Sequence, residues 1–417
     1  MATESNDPLL ERARDLLRRA PVIDGHNDVL WELRTKVAYD LDRFDLAEDR
    51  PELMTDLPRA RSGGLGGQFW SVYVPSDMPG DTAVTATLEQ IDGLHAMLDR
   101  YPDALRLTRT ADEVERAAVD GVLASMVGVE GGQSIGGSLG ALRMLARMGA
   151  GYMTLTHNHN TRWADSATDE PEHGGLTRFG EEVVREMNRC GVLVDLSHVS
   201  ADTMANALDV TETPVIFSHS SARAVCGVPR NVPDDILRRV PGNGGVVMVT
   251  FVPMFVIAAG EELSAAYIAE AKRIKAEHPD DPYAAHEAME AWFDRHEMPP
   301  AHLTDVADHI DHVRDVAGID HLGIGSDFDG SSSMPEGLED VSKFPNLFAE
   351  LLRRGYSEED LAKIARGNIL RVMRENERIA SRLRRERAPS LARIDDRAPE
   401  DDAVSEEDAA PEERAVI

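Results

Sequence analysis

The chain has 417 residues, of which 42% are hydrophobic and 29% are charged, a composition typical of a globular protein that buries a core. Its 44 basic and 75 acidic residues give a formal net charge of -31, which argues against nucleic acid or an anionic membrane surface as a partner. Because Cys190 and Cys226 are the only cysteines, a disulfide framework and a cysteine-based zinc site are both excluded, and any metal must be held by histidine and carboxylate.

The N-terminal stretch MATESNDPLLERARDLLRRA has no apolar segment of the kind found in signal peptides. Elsewhere, no uninterrupted apolar run is long enough to span a bilayer. We therefore expect a cytoplasmic protein that does not associate with a membrane.

Eight short β-rich segments follow one another along the chain, and they end in glycine, polar or ionisable residues. In order they are PVIDGHND, QFWSVYVP, ASMVGVEGG, YMTLTHNHN, VLVDLSHVS, PVIFSHSS, GGVVMVTFVP and HLGIGSDFDG. Most are followed by apolar residues at helical spacing, as in ALRMLARM from position 141. Eight strand–helix units predict an α/β protein with a (β/α)₈ barrel of the TIM type. A doubly wound sheet is disfavoured because DGHNDV is not the glycine-rich phosphate turn expected after its first strand.

Three further regions lie outside these units. Residues 256–300, rich in Ala, Glu and His, predict a pair of surface helices after the seventh strand. The sequence after the eighth strand predicts two or three C-terminal helices that pack on the barrel. From about Ala388 the chain turns to Pro, Ala, Arg and acidic residues, which is typical of a disordered tail. We therefore divide the chain into one barrel domain, 1–385, and an acidic tail, 386–417.

Ionisable side chains gather at the C-terminal ends of the predicted strands, and in a barrel these ends meet at one mouth. In VIDGHNDV, the alternation of side chains along a strand places His26 and Asp28 on the same face. The whole set comprises His26, Asp28, Glu130, His157, His159, His198, His219, Asp327 and Asp329. Nitrogen and oxygen ligands without thiolates suit Zn²⁺ or Mn²⁺. Since one ion needs only three or four ligands, the larger number favours two metals bridged by a carboxylate and a water.

Each of these residues also has a simpler explanation when it is considered alone. A single histidine at a strand end is usually a hydrogen-bonded structural residue, and a single aspartate usually caps the following helix. Glu130 could be a turn residue, although Gly131 and Gly132 would also let the backbone approach a ligand or ion closely. Because all these simpler explanations would have to hold together, we favour a metal site.

Seven motifs, in the right order, resemble those of the membrane (renal) dipeptidases and their bacterial relatives, peptidase family M19. They are DGHNDV, GVEGG, TLTHNHNTRWADS, VDLSHVS, FSHSSARAVCGVPRNVPDD, GIGSDFDG and PEGLEDVSKFP, and the likeness extends from about residue 15 to 380. The resemblance implies a barrel of the metal-dependent hydrolase kind with two Zn²⁺ per chain, Mn²⁺ being the alternative metal. It implies His26 and Asp28 on one ion, His198 and His219 on the other, and Glu130 as the bridge.

The same resemblance implies roles for three more residues. His157 would bind and polarise the scissile carbonyl, Arg230 would receive the terminal carboxylate of the substrate, and Asp327 would transfer the proton. We therefore expect a binuclear metallo-dipeptidase that uses a metal-bridging hydroxide to cleave dipeptides, including L-Xaa-D-Xaa. A homodimer is expected by the same likeness.

Two alternative functions are weighed against this one. The first is another amidohydrolase-type activity on the same barrel, such as hydrolysis of an N-acyl amino acid, a lactam or an ester. The second is a metal-binding sensor on an inactive barrel, which Asp327 argues against because a binding protein needs no proton carrier. The chain also departs from the family in MVTFVPMFVIAAG, which has no tyrosine where relatives carry an aromatic hydroxyl, so the substrate preference stays open.

Overall fold

The computed structural model describes residues 7–278, 281–293, 295–296, 298 and 300–395. Its strands are β1 Val22–Asn27, β2 Leu65–Tyr73, β3 Leu105–Leu107, β4 Leu123–Glu130, β5 Ala150–Thr154, β6 Leu193–Asp195, β7 Ile216–Phe217, β8 Val246–Val249 and β9 Leu322–Ile324. All the strand pairings are parallel.

Eight of these strands close into a barrel. Their order is β2-β1-β9-β8-β7-β6-β5-β4, and β4 pairs with β2 to complete the ring. Each of the eight predicted β-rich segments contributes one strand of this ring, so the predicted (β/α)₈ barrel is confirmed. The sequence reasoning missed β3, which pairs with the first residues of β4 beside the ring.

The helices of the first half of the chain alternate with the strands. They are α1 Pro8–Arg19, α2 Val29–Val37, α3 Leu57–Ser62, α4 Gly80–Arg100, α5 Ala111–Asp120, α6 Leu139–Met148, α7 Arg178–Cys190 and α8 Ala201–Val210. The helices that follow are α9 Asp234–Leu237, α10 Val240–Asn243, α11 Pro253–Val256, α12 Gly260–Glu277, α13 Pro282–Phe293, α14 Leu303–Ala317, α15 Phe344–Arg353, α16 Glu358–Ala362 and α17 Asn368–Glu386. Short 3₁₀ helices span Gly132–Ile135, Ile319–His321 and Val341–Lys343, and a π-helical turn spans Lys363–Gly367.

The barrel interior is filled by side chains from its own strands. Ile23, Phe69, Met126, Tyr152 and Met248, which come from five different strands, are almost fully buried and belong to one packed cluster. Because both faces of a parallel sheet are covered, all six residues of β1 are buried, including the polar ones. Because the interior is closely packed, a binding site can form only at an end of the barrel, and in this fold it forms where the strands have their C-terminal ends.

The predicted insertion forms α12 and α13, and α15 to α17 complete the chain's helices. Helix α15 packs on α1, and α17 packs on α7. After α17 the backbone runs beside the barrel, where the carbonyl oxygen of Ser390 accepts a hydrogen bond from Arg143 Nη1 at 3.1 Å. Residues 396–417 of the predicted tail lie outside the described residues. Among the described helices, none combines the length and the apolar character that crossing a membrane requires.

Candidate active site

The C-terminal ends of the barrel strands open into a cavity of about 1040 Å³. The candidate residues of the sequence among those lining it are Asp28, Glu130, His157, His159, His198, Arg230, Asp327 and Asp329. His26 and His219 lie next to them with side chains that are 1% exposed. The structure therefore gathers every metal, catalytic and substrate-binding candidate of the sequence at one barrel mouth.

His26 and Asp28 face the same side, as the alternation along β1 predicts. The Nε2 atom of His26 lies 3.3 Å from Asp28 Oδ2, whereas Asn27 points elsewhere and donates to Thr55 Oγ1 at 2.7 Å. Asp28 occupies the N-cap position of α2 but makes no capping hydrogen bond with its side chain. Its carboxylate is therefore available to the cavity, and the simpler explanation of Asp28 as a helix cap does not hold.

Glu130, the last residue of β4, lies at the centre of the cluster. Its Oε2 atom is 3.2 Å from His26 Nε2 and accepts a hydrogen bond from Ser71 Oγ at 2.9 Å. Its Oε1 atom is 3.1 Å from His198 Nε2 and 3.6 Å from His219 Nε2. One carboxylate thus lies close to a histidine of each pair that the family resemblance assigns to the two metal ions.

Hydrogen bonds on the far side of the imidazole rings fix their orientation. The Nδ1 atom of His26 lies 2.8 Å from the hydroxyl of Tyr152, and Nδ1 of His219 lies 2.8 Å from Ser218 Oγ. These contacts leave the Nε2 atoms directed towards Glu130, as is typical of histidines that bind metals. The sequence reasoning missed Tyr152, because no motif marks a tyrosine 126 positions from its partner.

The protonation states at this mouth follow from burial and from neighbouring charges. Burial lowers the pKa of His198 and His219 well below the ordinary value and lowers that of His157 to about 4, so these rings are neutral. Burial also acts to lower the pKa of His26, but Glu130, Tyr152 and Asp28 outweigh it and raise that pKa well above the ordinary value. Neutral imidazoles and carboxylates bind a divalent cation, so His198 and His219 are ready to bind one, whereas His26 would have to release its proton as the cation binds.

The donor atoms fit divalent metal ions. Three groups place one ligand atom of each residue within 4.8 Å of the others: His26, Glu130 and His219; Glu130, His157 and His198; and His26, Asp28 and Asp327. The Nε2 atoms of His198 and His219 are only 2.9 Å apart, and a cation that accepts both lone pairs would satisfy both rings. Within the described residues, the buried Nε2 atom of His26 has no hydrogen-bond partner, which supports the same conclusion.

Arg230 is a buried cation beside this cluster. It is 3% exposed, its guanidinium stacks over Phe255 at 5.2 Å, and its Nη2 atom lies 3.4 Å from the His219 carbonyl oxygen. Among the described residues no carboxylate forms an ion pair with it, and its Nε atom has no partner. A buried guanidinium without a counter-charge is suited to bind a carboxylate from outside the protein.

Asp327, three residues beyond the end of β9, completes the mouth. Burial raises the pKa of Asp327 to about 8, with Asp28 and Glu130 acting in the same direction. Asp327 and His198 both adopt φ angles of 67°, in the left-handed region that residues other than glycine seldom occupy. Such backbone strain concentrates at functional sites, where the surrounding structure holds it in place.

Two strand-end candidates of the sequence do not join the cluster. The Nδ1 atom of His159 lies 2.7 Å from Ser76 Oγ, and Asp329 Oδ1 accepts a hydrogen bond from the Met54 amide at 2.7 Å. Since β5 ends at Thr154, the strand alternation that could have placed His157 and His159 on one face does not extend to them.

The insertion supplies a tyrosine to the cavity. Tyr267 of α12 lines the cavity, and its hydroxyl accepts a hydrogen bond from Asn158 Nδ2. The positive charge of Arg230 acts on this hydroxyl, whose pKa burial raises to about 12. The cavity therefore contains a phenol near Arg230 although MVTFVPMFVIAAG has none, and the sequence offered no sign that α12 would supply it.

Comparison with known proteins gives a family match over nearly the whole chain. Residues 10–387 match the family described as membrane dipeptidase (peptidase family M19). The curated protein dipeptidase verJ of Clonostachys rogersoniana is 40% identical over 389 residues, covering 91% of this chain and 90% of that protein.

Solved structures agree with this match. The probable dipeptidase PvdM of Pseudomonas aeruginosa is 25% identical, with a TM-score of 0.75 over 89% of this chain and 99% of that one. A metallopeptidase of Rhodobacter sphaeroides, solved with a phosphinate mimic of the dipeptide L-Ala-D-Ala, is 25% identical, with a TM-score of 0.71 over 85% of this chain and 99% of that one.

Proposed function

Since the chain belongs to the membrane dipeptidase family, peptidase family M19, and is a metallo-dipeptidase, we propose that its cavity binds two zinc ions and hydrolyses dipeptides with a free C-terminal carboxylate, L-Xaa-D-Xaa dipeptides among them. One observation carries the proposal. Glu130 lies between the pair His26–Asp28 and the pair His198–His219, and the unpaired Arg230 lies at the same mouth.

In this proposal the two ions share five ligands. His26 and Asp28 would hold one ion, His198 and His219 would hold the other, and Glu130 would be a ligand of both. Manganese is the alternative metal, because the same nitrogen and oxygen donors also suit it. When bound, two such ions lower the pKa of a shared water towards neutrality and so supply a hydroxide nucleophile without a serine or cysteine.

Arg230 is proposed to bind the terminal carboxylate of the substrate. Its planar guanidinium matches a carboxylate in a two-pronged geometry, and burial strengthens the attraction because little water competes. The stacking on Phe255 holds the side chain in place before the substrate arrives. An enzyme that recognises the chain end close to its reacting centre cleaves short substrates, which is why we favour dipeptides.

His157 and Asp327 are proposed to act on the reacting bond. The ring of His157 is neutral and lines the cavity, so one of its ring nitrogens can donate a hydrogen bond to the scissile carbonyl oxygen. The Asp327 carboxylate, in one group with His26 and Asp28, can accept a proton at the mouth and return it to the leaving amine.

Acceptance of L-D dipeptides is supported by the Rhodobacter relative, which was solved with a mimic of L-Ala-D-Ala, and by the size of the cavity. At about 1040 Å³ the cavity is at the upper end of small-molecule sites, so either configuration at the second residue finds room. A homodimer in the cytoplasm remains our prediction.

The test is hydrolysis of a dipeptide panel by protein whose metal content has been counted. The panel contains L-L, L-D and D-L dipeptides with their N-acetylated and C-amidated versions. We expect two metals per chain and cleavage only where the carboxylate is free. In Arg230→Met, kcat/KM for free dipeptides should fall by about 30-fold or more, mainly through KM, because a buried charge pair is lost.

Arg238→Met is the matched control, because that arginine is exposed at the C-cap of α9 and pairs only with Asp234 among the described residues. It should leave kcat/KM unchanged. If the metal-loaded protein ignored every dipeptide but cleaved a lactam or an ester without a carboxylate, the alternative amidohydrolase activity would replace the proposal.

A further inference from the structure

Helix α12 of the insertion spans the mouth of the barrel. Near its start, Glu261 Oε1 accepts a hydrogen bond from the amide of Gly227, in the loop that carries Arg230. Further along, Tyr267 accepts the hydrogen bond from Asn158, which follows His157 directly. Helix α12 thus connects the loop of Arg230 with the loop of His157, and it covers the space between them.

One face of α12 looks into the cavity. Ser264, Tyr267, Ala271, Ile274 and Lys275 line it, at the spacing of three and four residues that marks one side of a helix. The opposite side is exposed, as at Ala269. Helix α12 therefore forms part of the cavity wall, and its inner face can contact a substrate.

The wall on the α12 side has a continuous apolar part beside the polar Tyr267 and Lys275 of the same helix. This apolar part is lined by Met254 and Phe255 of α11, Ala271 and Ile274 of α12, and Phe293 of α13. The segments after β1 and β9 line the cavity with charged residues of both signs, including Glu32 paired with Lys36 and Asp340 paired with Arg59.

Arg230 stands at the edge of the apolar wall, because its guanidinium lies over the ring of Phe255. A substrate whose carboxylate binds Arg230 places the side chain of its C-terminal residue next to that wall.

From this arrangement we infer an apolar subsite, formed by α11, α12 and α13, that binds the side chain of the C-terminal residue. The preferred substrates are dipeptides with a bulky apolar residue, such as leucine or phenylalanine, at that end. The inference rests on the proposed dipeptidase function, since Arg230 fixes the substrate's direction. Burial of such a side chain should raise kcat/KM by about 10- to 100-fold over glycine.

The experiment compares L-Ala-Gly with L-Ala-Leu and L-Ala-Phe, the leucine and phenylalanine in both configurations, using the metal-loaded protein. The ratio of kcat/KM for phenylalanine to that for glycine should be about 10 or more. Ala271→Phe places a ring from α12 in the subsite and should lower this ratio towards one. Ala269→Phe adds the same ring to the exposed side of α12 and should leave the ratio as in the wild type.

Binding gives a second readout that does not depend on turnover or on the folding of a variant. Calorimetry with phosphinate mimics of L-Ala-Gly and L-Ala-Phe should show tighter binding of the phenylalanine mimic to the wild-type protein. Equal kcat/KM values for the glycine and phenylalanine substrates would overturn the subsite and leave the dipeptidase proposal standing. If no dipeptide were cleaved, the dipeptidase proposal would fail. The subsite would then stand only if the phenylalanine mimic still bound more tightly, and equal or absent binding would overturn it.

Discussion

Gly330 lies where the chain after β9 passes close to the carboxylates of Asp28 and Asp327. A Cβ atom at this position would stand 2.3 Å from Asp28 Oδ2 and 2.4 Å from Asp327 Oδ1. Because Cβ atoms essentially never approach other atoms within 3.0 Å, the two oxygens would have to move by about 0.7 and 0.6 Å. The φ angle of Gly330 is outside the left-handed region, so the effect of alanine is steric and not conformational.

We expect Gly330→Ala to lose activity while it keeps its stability. Both displaced atoms are the ends of side chains at a cavity, so the free energy of unfolding should change by less than about 1 kcal/mol. Since a displacement of about 1 Å in a reacting centre costs on the order of 10²-fold, these smaller displacements should lower kcat/KM by about 30- to 100-fold. Metal content should fall as well, because Asp28 is a proposed ligand.

The assay combines kcat/KM for L-Ala-D-Ala, the count of bound metal and thermal unfolding. Gly242→Ala is the matched control, since a Cβ atom there meets no other atom within 4 Å, and it should behave as the wild type. If Gly330→Ala kept wild-type kcat/KM and metal content, Asp28 and Asp327 would not be held at the reacting centre in the way proposed here.

Two further predictions concern the hydrogen bonds behind the ligands. Tyr152→Phe removes the hydroxyl 2.8 Å from His26 Nδ1, so metal affinity should fall by about 10- to 100-fold in a competition titration with a chromogenic chelator. Unchanged affinity would contradict this role. Ser326→Ala removes the hydroxyl that donates to the fully buried Asp24 at 2.6 Å, and denaturant unfolding of the metal-free protein should show a loss of about 1–3 kcal/mol. A loss no larger than that of Ser331→Ala, in the loop after β9, would show that Asp24 does not need this donor.

The barrel could be predicted because each of its strands carries its own β-rich segment and most are followed by a helical pattern. The first and last residues of the strands are harder to predict. Strand β2 begins at Leu65 and includes two glycines, which have low β-propensity, so its start was not predicted. Strand β7 has only two residues. The three-residue β3 is too short for any alternation to reveal. These limits are physical, since strand ends depend on pairing with a neighbour that is distant in sequence.

The ligand candidates could be predicted for a similar reason. Each lies in its own short motif at a strand end, and the parallel barrel brings all strand ends to one mouth. The supporting contacts could not be predicted, because they join residues on different strands. Tyr152 meets His26 only when β5 and β1 close into the ring, and Tyr267 reaches the cavity only because α12 folds over the mouth.

Hydrogen bonds below the barrel mouth stabilise its charged side chains and its residues with positive φ angles. Beneath it, Asp195 accepts hydrogen bonds from Thr154 Oγ1 and Ser218 Oγ, both at 2.6 Å, which ties β5, β6 and the residue after β7 together. The carbonyl oxygen of His198, whose φ angle is positive, accepts a hydrogen bond from the Ala167 amide at 2.8 Å. Such contacts are independent of any cation, so folding itself orients the imidazoles. Because the ligands are already positioned, a cation loses little of its binding free energy to ordering them. The rigid barrel below holds residues such as His198 in their unfavourable backbone conformation.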